Sequence, residues 1–61
     1  MIGKAIRTER LRQDVGQREL ARRAGMTHAN LVGIELERRD CLVETARRIA
    51  EALGVPLAEL V

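Results

Sequence analysis

Apolar residues recur along the chain at helical spacing, and nowhere do they alternate as in a strand. Ile2, Ala5 and Ile6 form a stripe on a first predicted helix, Ile2 to Gln13; Glu9 interrupts its next turn and Leu11 lies off it. Asp14-Val15-Gly16 closes that helix. A second runs from Gln17 to Ala24, with Leu20, Ala21 and Ala24 on one face. Gly25 is placed to end it in the left-handed conformation. Met26 follows as an apolar anchor and Thr27 as an N-cap, since its hydroxyl can accept from a free helical N–H. Met26 and Leu31 have the spacing of a hydrophobic staple. The third helix should run from His28 to about Leu36, with Leu31 and Ile34 inward and Gly33 costing about 1 kcal/mol of propensity relative to Ala. Glu37 to Cys41 is a polar connection. A fourth helix, Val43 to Leu53, carries a stripe of Val43, Ala46, Ile49, Ala50 and Leu53, and Gly54 caps it. Pro56 can open a short last helix through Leu60. The pattern predicts an all-α domain spanning residues 1–61, five short helices around one core, helices two and three forming a helix-turn-helix.

Composition narrows what such a fold can do. A chain of 61 residues buries only roughly 60% of its unfolded surface, so its stability is marginal. Cys41 is the one cysteine, so no internal disulfide is available, and a lone thiol fits a reducing compartment. No basic-then-apolar leader opens the chain and no run approaches about 20 apolar residues, so a soluble, cytoplasmic protein is expected. Phe, Tyr and Trp are absent, which removes stacking platforms for single-stranded nucleic acid. The formal net charge is only +2, and all of the 11 basic residues except Lys4 are Arg. Arg grips phosphate and carboxylate through a planar fork.

From Gln17 to Glu35 the pattern becomes more specific. Gln17-x-x-Leu20-Ala21, then Gly25-Met26-Thr27, Leu31, Ile34-Glu35, and Ala50-x-Ala52-Leu53-Gly54-Val55 with Leu60 following resemble, in that order, the lambda-repressor-like DNA-binding domains of the Cro and phage repressor superfamily. The resemblance covers nearly the whole chain. It implies sequence-specific binding to double-stranded DNA in transcription regulation, with the helix from residue 28 to 36 in the major groove and a symmetric dimer on a palindromic operator.

Carried over position by position, the resemblance implies base contacts from His28, Ala29, Asn30 and Gly33. It implies backbone contacts from Gln17, Thr27, Arg38 and Arg39, and a structural salt bridge between Arg10 and Glu35. Chemically, His28 can donate or accept, Asn30 can pair with adenine, and Ala29 offers only apolar contact to a thymine methyl. Gly33 has no side chain to read with and would instead let the helix approach closely. The plainer alternatives are solvated helix surface for His28 and Asn30, a packing notch for Gly33, local capping for Gln17 and a solvated loop for the two arginines. Leu57, Leu60 and Val61 are candidate dimer contacts, with core closure as the alternative. The sequence departs from the family pattern at Glu9, usually apolar, and at Asp14 and Glu37, where Gly is favoured. Cys41 and Leu42 stand where a Pro and a small polar residue are common.

Enzymatic chemistry has little support. With one His and no Ser or Tyr there is no paired-base arrangement for nucleophilic work, and His28 with Cys41 falls short of a metal ligand set. No cofactor and no metal are expected. The rival to DNA binding is a protein-interaction module on the same fold, antitoxin-like or coactivator-like, or an engineered scaffold. Such a module would use Leu11, Leu36 and Leu42 as an apolar patch.

Overall fold

In a computed structural model, which describes residues 2–61, four α-helices enclose one core: α1 (Ile2–Arg12), α2 (Gln17–Ala24), α3 (His28–Glu35) and α4 (Val43–Leu53). The fifth helix expected after Pro56 is instead a single 3-10 turn, Leu57–Glu59, held by Glu59 N–H to the Pro56 carbonyl and Leu60 N–H to the Leu57 carbonyl. The segment is too short to repay the nucleation of an α-helix, and tighter i to i+3 bonds satisfy it.

Ile6, Leu20, Leu31, Ile34, Ile49 and Leu60 are the large side chains fully enclosed, with Ala21, Ala24, Ala46 and Ala50 between them. The small alanines let α2 lie close against α4, while α1 packs on α3. Gly3 makes the second approach possible: a Cβ there would sit 2.0 Å from the Ile34 carbonyl oxygen, inside its van der Waals shell. Val43, expected in the buried stripe of α4, is exposed, because it occupies the first turn, beyond the reach of the core.

All four helices end in the same way. A residue in the left-handed region follows each: Asp14 (φ 58), Gly25 (φ 69), Glu37 (φ 60) and Gly54 (φ 69). In each case the N–H of that residue and of the next bond back to carbonyls three and five positions earlier, as with Gly25 to Arg22 and Met26 to Ala21. This is the Schellman geometry, in which an apolar residue normally follows the cap and packs inward. Val15, Met26 and Val55 do so. Only after α3 is the residue following the cap charged: Arg38, which stays exposed.

The departures at Asp14 and Glu37 therefore keep the backbone shape that Gly would adopt. The Glu37 side chain has a compensating role. Its Oε2 accepts the Lys4 N–H at 3.1 Å and caps the first turn of α1. Glu9 is likewise engaged. It accepts from Arg12 and, at 2.8 Å, from Gln13, which also donates to the Leu53 carbonyl at 2.7 Å and ties α1 to the end of α4. The Arg12 guanidinium, with help from Gln13, holds the Glu9 carboxyl below its ordinary value.

Candidate nucleic-acid interface

The helix-turn-helix is set by caps. Gly25 turns the chain out of α2, and two residues later Thr27 caps the start of α3, its Oγ1 accepting the Asn30 N–H at 3.1 Å. Leu31, Ile34 and Glu35 are buried, which fixes the rotation of α3 and leaves Ala29 exposed with His28, Asn30 and Val32 half-exposed beside it.

Beneath α3 lies an ion pair. Arg10 and Glu35 meet in a bidentate fork, Nε to Oε2 at 2.7 Å and Nη2 to Oε1 at 2.9 Å. The Glu35 side chain is 1% exposed. Arg10 spends its remaining donor, Nη1, on the Val15 carbonyl at 2.9 Å. The pair thus joins α1, the α1–α2 connection and α3, with its polar atoms satisfied, as burial of charge demands.

The pair also reaches the surface. Gln17 Nε2 donates to Glu35 Oε1 at 3.1 Å, and Gln17 Oε1 stands 3.3 Å from His28 Nε2. A carboxylate only accepts, so the amide must turn its nitrogen to Glu35 and its oxygen to His28. His28 must then donate from Nε2. A chain of polar contacts runs from the buried Arg10 to the first residue of α3 and selects the imidazole tautomer displayed there. Gln17 was expected to give its side chain to phosphate; one of its amide hydrogens is instead committed to Glu35. The first turn of α2 remains open, because its N-cap is Gly16 and no side chain caps it.

Gly33 is not the bare position expected of a base-contacting residue. It is buried, and a Cβ on it would lie 2.8 Å from Arg39 Cδ and 3.0 Å from Arg39 Cγ. The arginine of the exit loop covers it. The dimer contacts also need correction: Leu60 is 2% exposed and closes the core, and Leu57 packs against that core, whereas Val61 is 84% exposed. Leu60 follows a turn that folds back over α4, which carries its side chain inward. Leu11, Leu36 and Leu42 are all exposed. Cys41 is half-buried against the core, and burial pushes its thiol up from the ordinary value.

Charge is partitioned around α3. Arg22 and Arg23 pair with Glu19, and Arg47 and Arg48 with Glu44, so the outer faces of α2 and α4 are locally balanced. Among the described residues Lys4 and Arg7 on α1, Arg18 at the start of α2, and Arg38 and Arg39 after α3 have no carboxylate partner within salt-bridge distance. Glu37, adjacent in sequence to Arg38, turns away to α1. Sequence spacing does not signal this partition: Glu35 stands three and four residues before Arg38 and Arg39, as Glu19 does before Arg22 and Arg23, but Glu35 is taken by Arg10.

The helix-turn-helix family model matches residues 6–60. The chain belongs to the Cro- and phage-repressor-type helix-turn-helix family. This is a family of DNA-binding, transcription-regulating domains. Among solved structures, this helix-turn-helix chain is similar to the clp gene regulator ClgR from C. glutamicum, with a TM-score of 0.93 and 29% identity over 97% of this chain and 77% of that one. No curated protein sequence matches it. Among the described residues no helix is long and apolar enough to cross a membrane.

Proposed function

We propose that this helix-turn-helix protein binds a specific double-stranded DNA sequence as a transcription regulator, with α3 in the major groove and α2 lying across it. The observation that carries the reading is the outer side of α3. Thr27, His28, Ala29 and Asn30 are presented there on a helix whose angle is locked by the Arg10–Glu35 fork, and Arg38 and Arg39, without a carboxylate partner among the described residues, follow its C-terminal end. Arg38, the Thr27 hydroxyl and the open N–H groups of α2 suit phosphate; His28 and Asn30 suit base edges. One such helix reads few base pairs, so a symmetric dimer on a palindromic site is part of the proposal. Val61 and the edge of Leu57 are the apolar groups left at the C-terminal end for it.

Selection from a random duplex library at two salt concentrations tests this. An enriched inverted repeat, bound less tightly as salt rises, supports it; general weak binding with no enriched sequence overturns it. The exposed Leu36 and Leu42, at either end of the α3–α4 loop, favour the protein-interaction alternative in that second case.

A further inference from the structure

We infer that Arg39, carried on the loop after α3, is a base-reading residue that lies along the recognition helix in a lane opened by Gly33, and that it reads guanine. The inference rests on the DNA-binding reading above and assigns Arg39 a different role from a backbone contact.

The lane is built from the backbone up. Glu37, at φ 60, reverses the chain at the end of α3. The N–H groups of Arg38 and Arg39 then converge on the Gly33 carbonyl, at 2.8 and 3.2 Å. This double bond-back fixes where Arg39 leaves the loop. Its side chain does not extend away from the helix. The Cδ, Cγ and Nε atoms pass over Gly33, all within about 3 Å of the place a Cβ would occupy, as 2.8, 3.0 and 3.1 Å attest. A Cβ at position 33 would force the Arg39 side chain to shift from that path. The guanidinium ends one helical turn nearer the start of α3, where Nη1 donates to Asn30 Oδ1 at 3.4 Å. Residues 30 and 33 are helix neighbours at i and i+3, so the group has been delivered to the side of α3 that also displays Ala29 and Asn30.

The chemistry follows from the atoms left over. Arg39 has no carboxylate partner among the described residues, and Asn30 engages only one of its guanidinium nitrogens. The fork carries donors and no acceptor, the pattern complementary to guanine O6 and N7 in the major groove. Asn30 turns its oxygen to Arg39, which leaves its amide hydrogens as its other polar group. The two together form a donor-only patch on a helix otherwise poor in readers. A glycine inside this helix weakens it, and the lane accounts for its presence.

The test repeats the duplex selection with the full chain carrying Arg39→Ala, Arg39→Lys and Gly33→Ala, followed by affinities for the preferred site and its single-base variants at two salt concentrations. The wild type should demand guanine at one base pair of each half-site. Arg39→Ala should abolish that discrimination, about 5- to 150-fold for a bidentate contact, and leave preferences elsewhere intact. Arg39→Lys should keep the salt dependence and lose most of the discrimination, because a point charge lacks the fork. Gly33→Ala, which retains Arg39 but fills its path, should lose the same preference at the same base pair. Because Arg39 is exposed, the Arg39 variants decide the matter even if Gly33→Ala does not fold. The inference is overturned if Arg39→Ala weakens all sequences alike, lowers the slope of log affinity against log salt by about 0.9, and leaves every base preference in place, the signature of a phosphate contact. Loss of preference in Arg39→Ala with none in a folded Gly33→Ala would overturn the lane. If the wild type enriches no sequence, the DNA reading itself fails, which is distinct from an enriched site indifferent to residue 39.

Discussion

At the scale of single residues, the molecule depends on a few polar side chains to set the position of α3. Arg10 and Glu35 are charges held out of water, and each is balanced by the other and by Val15 and Gln17. Removing one partner strands the other. Arg10→Met alone should cost about 3–5 kcal/mol, of the same order as the whole stability of so small a domain. The double change Arg10→Met with Glu35→Leu should cost less than the two single changes added together, since no buried charge is left alone. Urea denaturation of the three variants checks this, and simple additivity would count against the coupling. Much at this scale was legible in the sequence. Thr27 as the cap of α3 and the inward Leu31 and Ile34 follow from local spacing and hydroxyl chemistry. The Gln17 bridge was not legible, because it depends on an amide of one helix meeting a carboxylate and an imidazole of another.

At the scale of elements, the four helices are terminated by one repeated device, and its residues differ in a way that can be measured. Asp14 and Glu37 hold left-handed backbone at a cost that Gly avoids. Asp14→Gly should raise stability by about 0.5–1 kcal/mol, the relief of strain less the extra freedom Gly gives the unfolded chain. Glu37→Gly should come out near zero, since the same relief is offset by loss of the cap on the Lys4 N–H, about 1 kcal/mol. Thermal unfolding of the two variants separates these outcomes. The helix ends at Gly25 and Gly54 were readable because glycine marks left-handed backbone directly. Those at Asp14 and Glu37 carried no such mark, and the last helix was overestimated because Pro56 signals a start without saying how far the helix continues.

At the scale of the whole molecule, the issue is which apolar groups serve the interior and which remain for a partner. Leu60 and Val61 are adjacent in sequence and opposite in role, at 2% and 84% exposure. Leu60→Ala should destabilise the fold by about 2–4 kcal/mol, as truncation of an enclosed leucine does. Val61→Asp should leave unfolding unchanged and, if the C-terminal end joins two copies, shift sedimentation toward the monomer. An unchanged sedimentation profile for Val61→Asp, from a wild type that does associate, would place the dimer surface elsewhere. The charge distribution belongs to this scale too: the arginines three and four residues after Glu19 and Glu44 are balanced, and Arg18, Arg38 and Arg39 at the ends of the helix-turn-helix are not.

The sequence alone determined the all-helical class, the four main helices, the Gly25 turn and most of the core, because periodicity and capping act within a few residues and leave a local record. The tertiary structure decided the rest. It placed Gly3 against the Ile34 carbonyl, turned Glu37 toward α1, sent Leu60 inward and laid Arg39 across Gly33. Each of these is a meeting of residues from different elements or across a chain reversal. A glycine written at position 33 reads as an empty place until the loop that follows brings a side chain back to fill it.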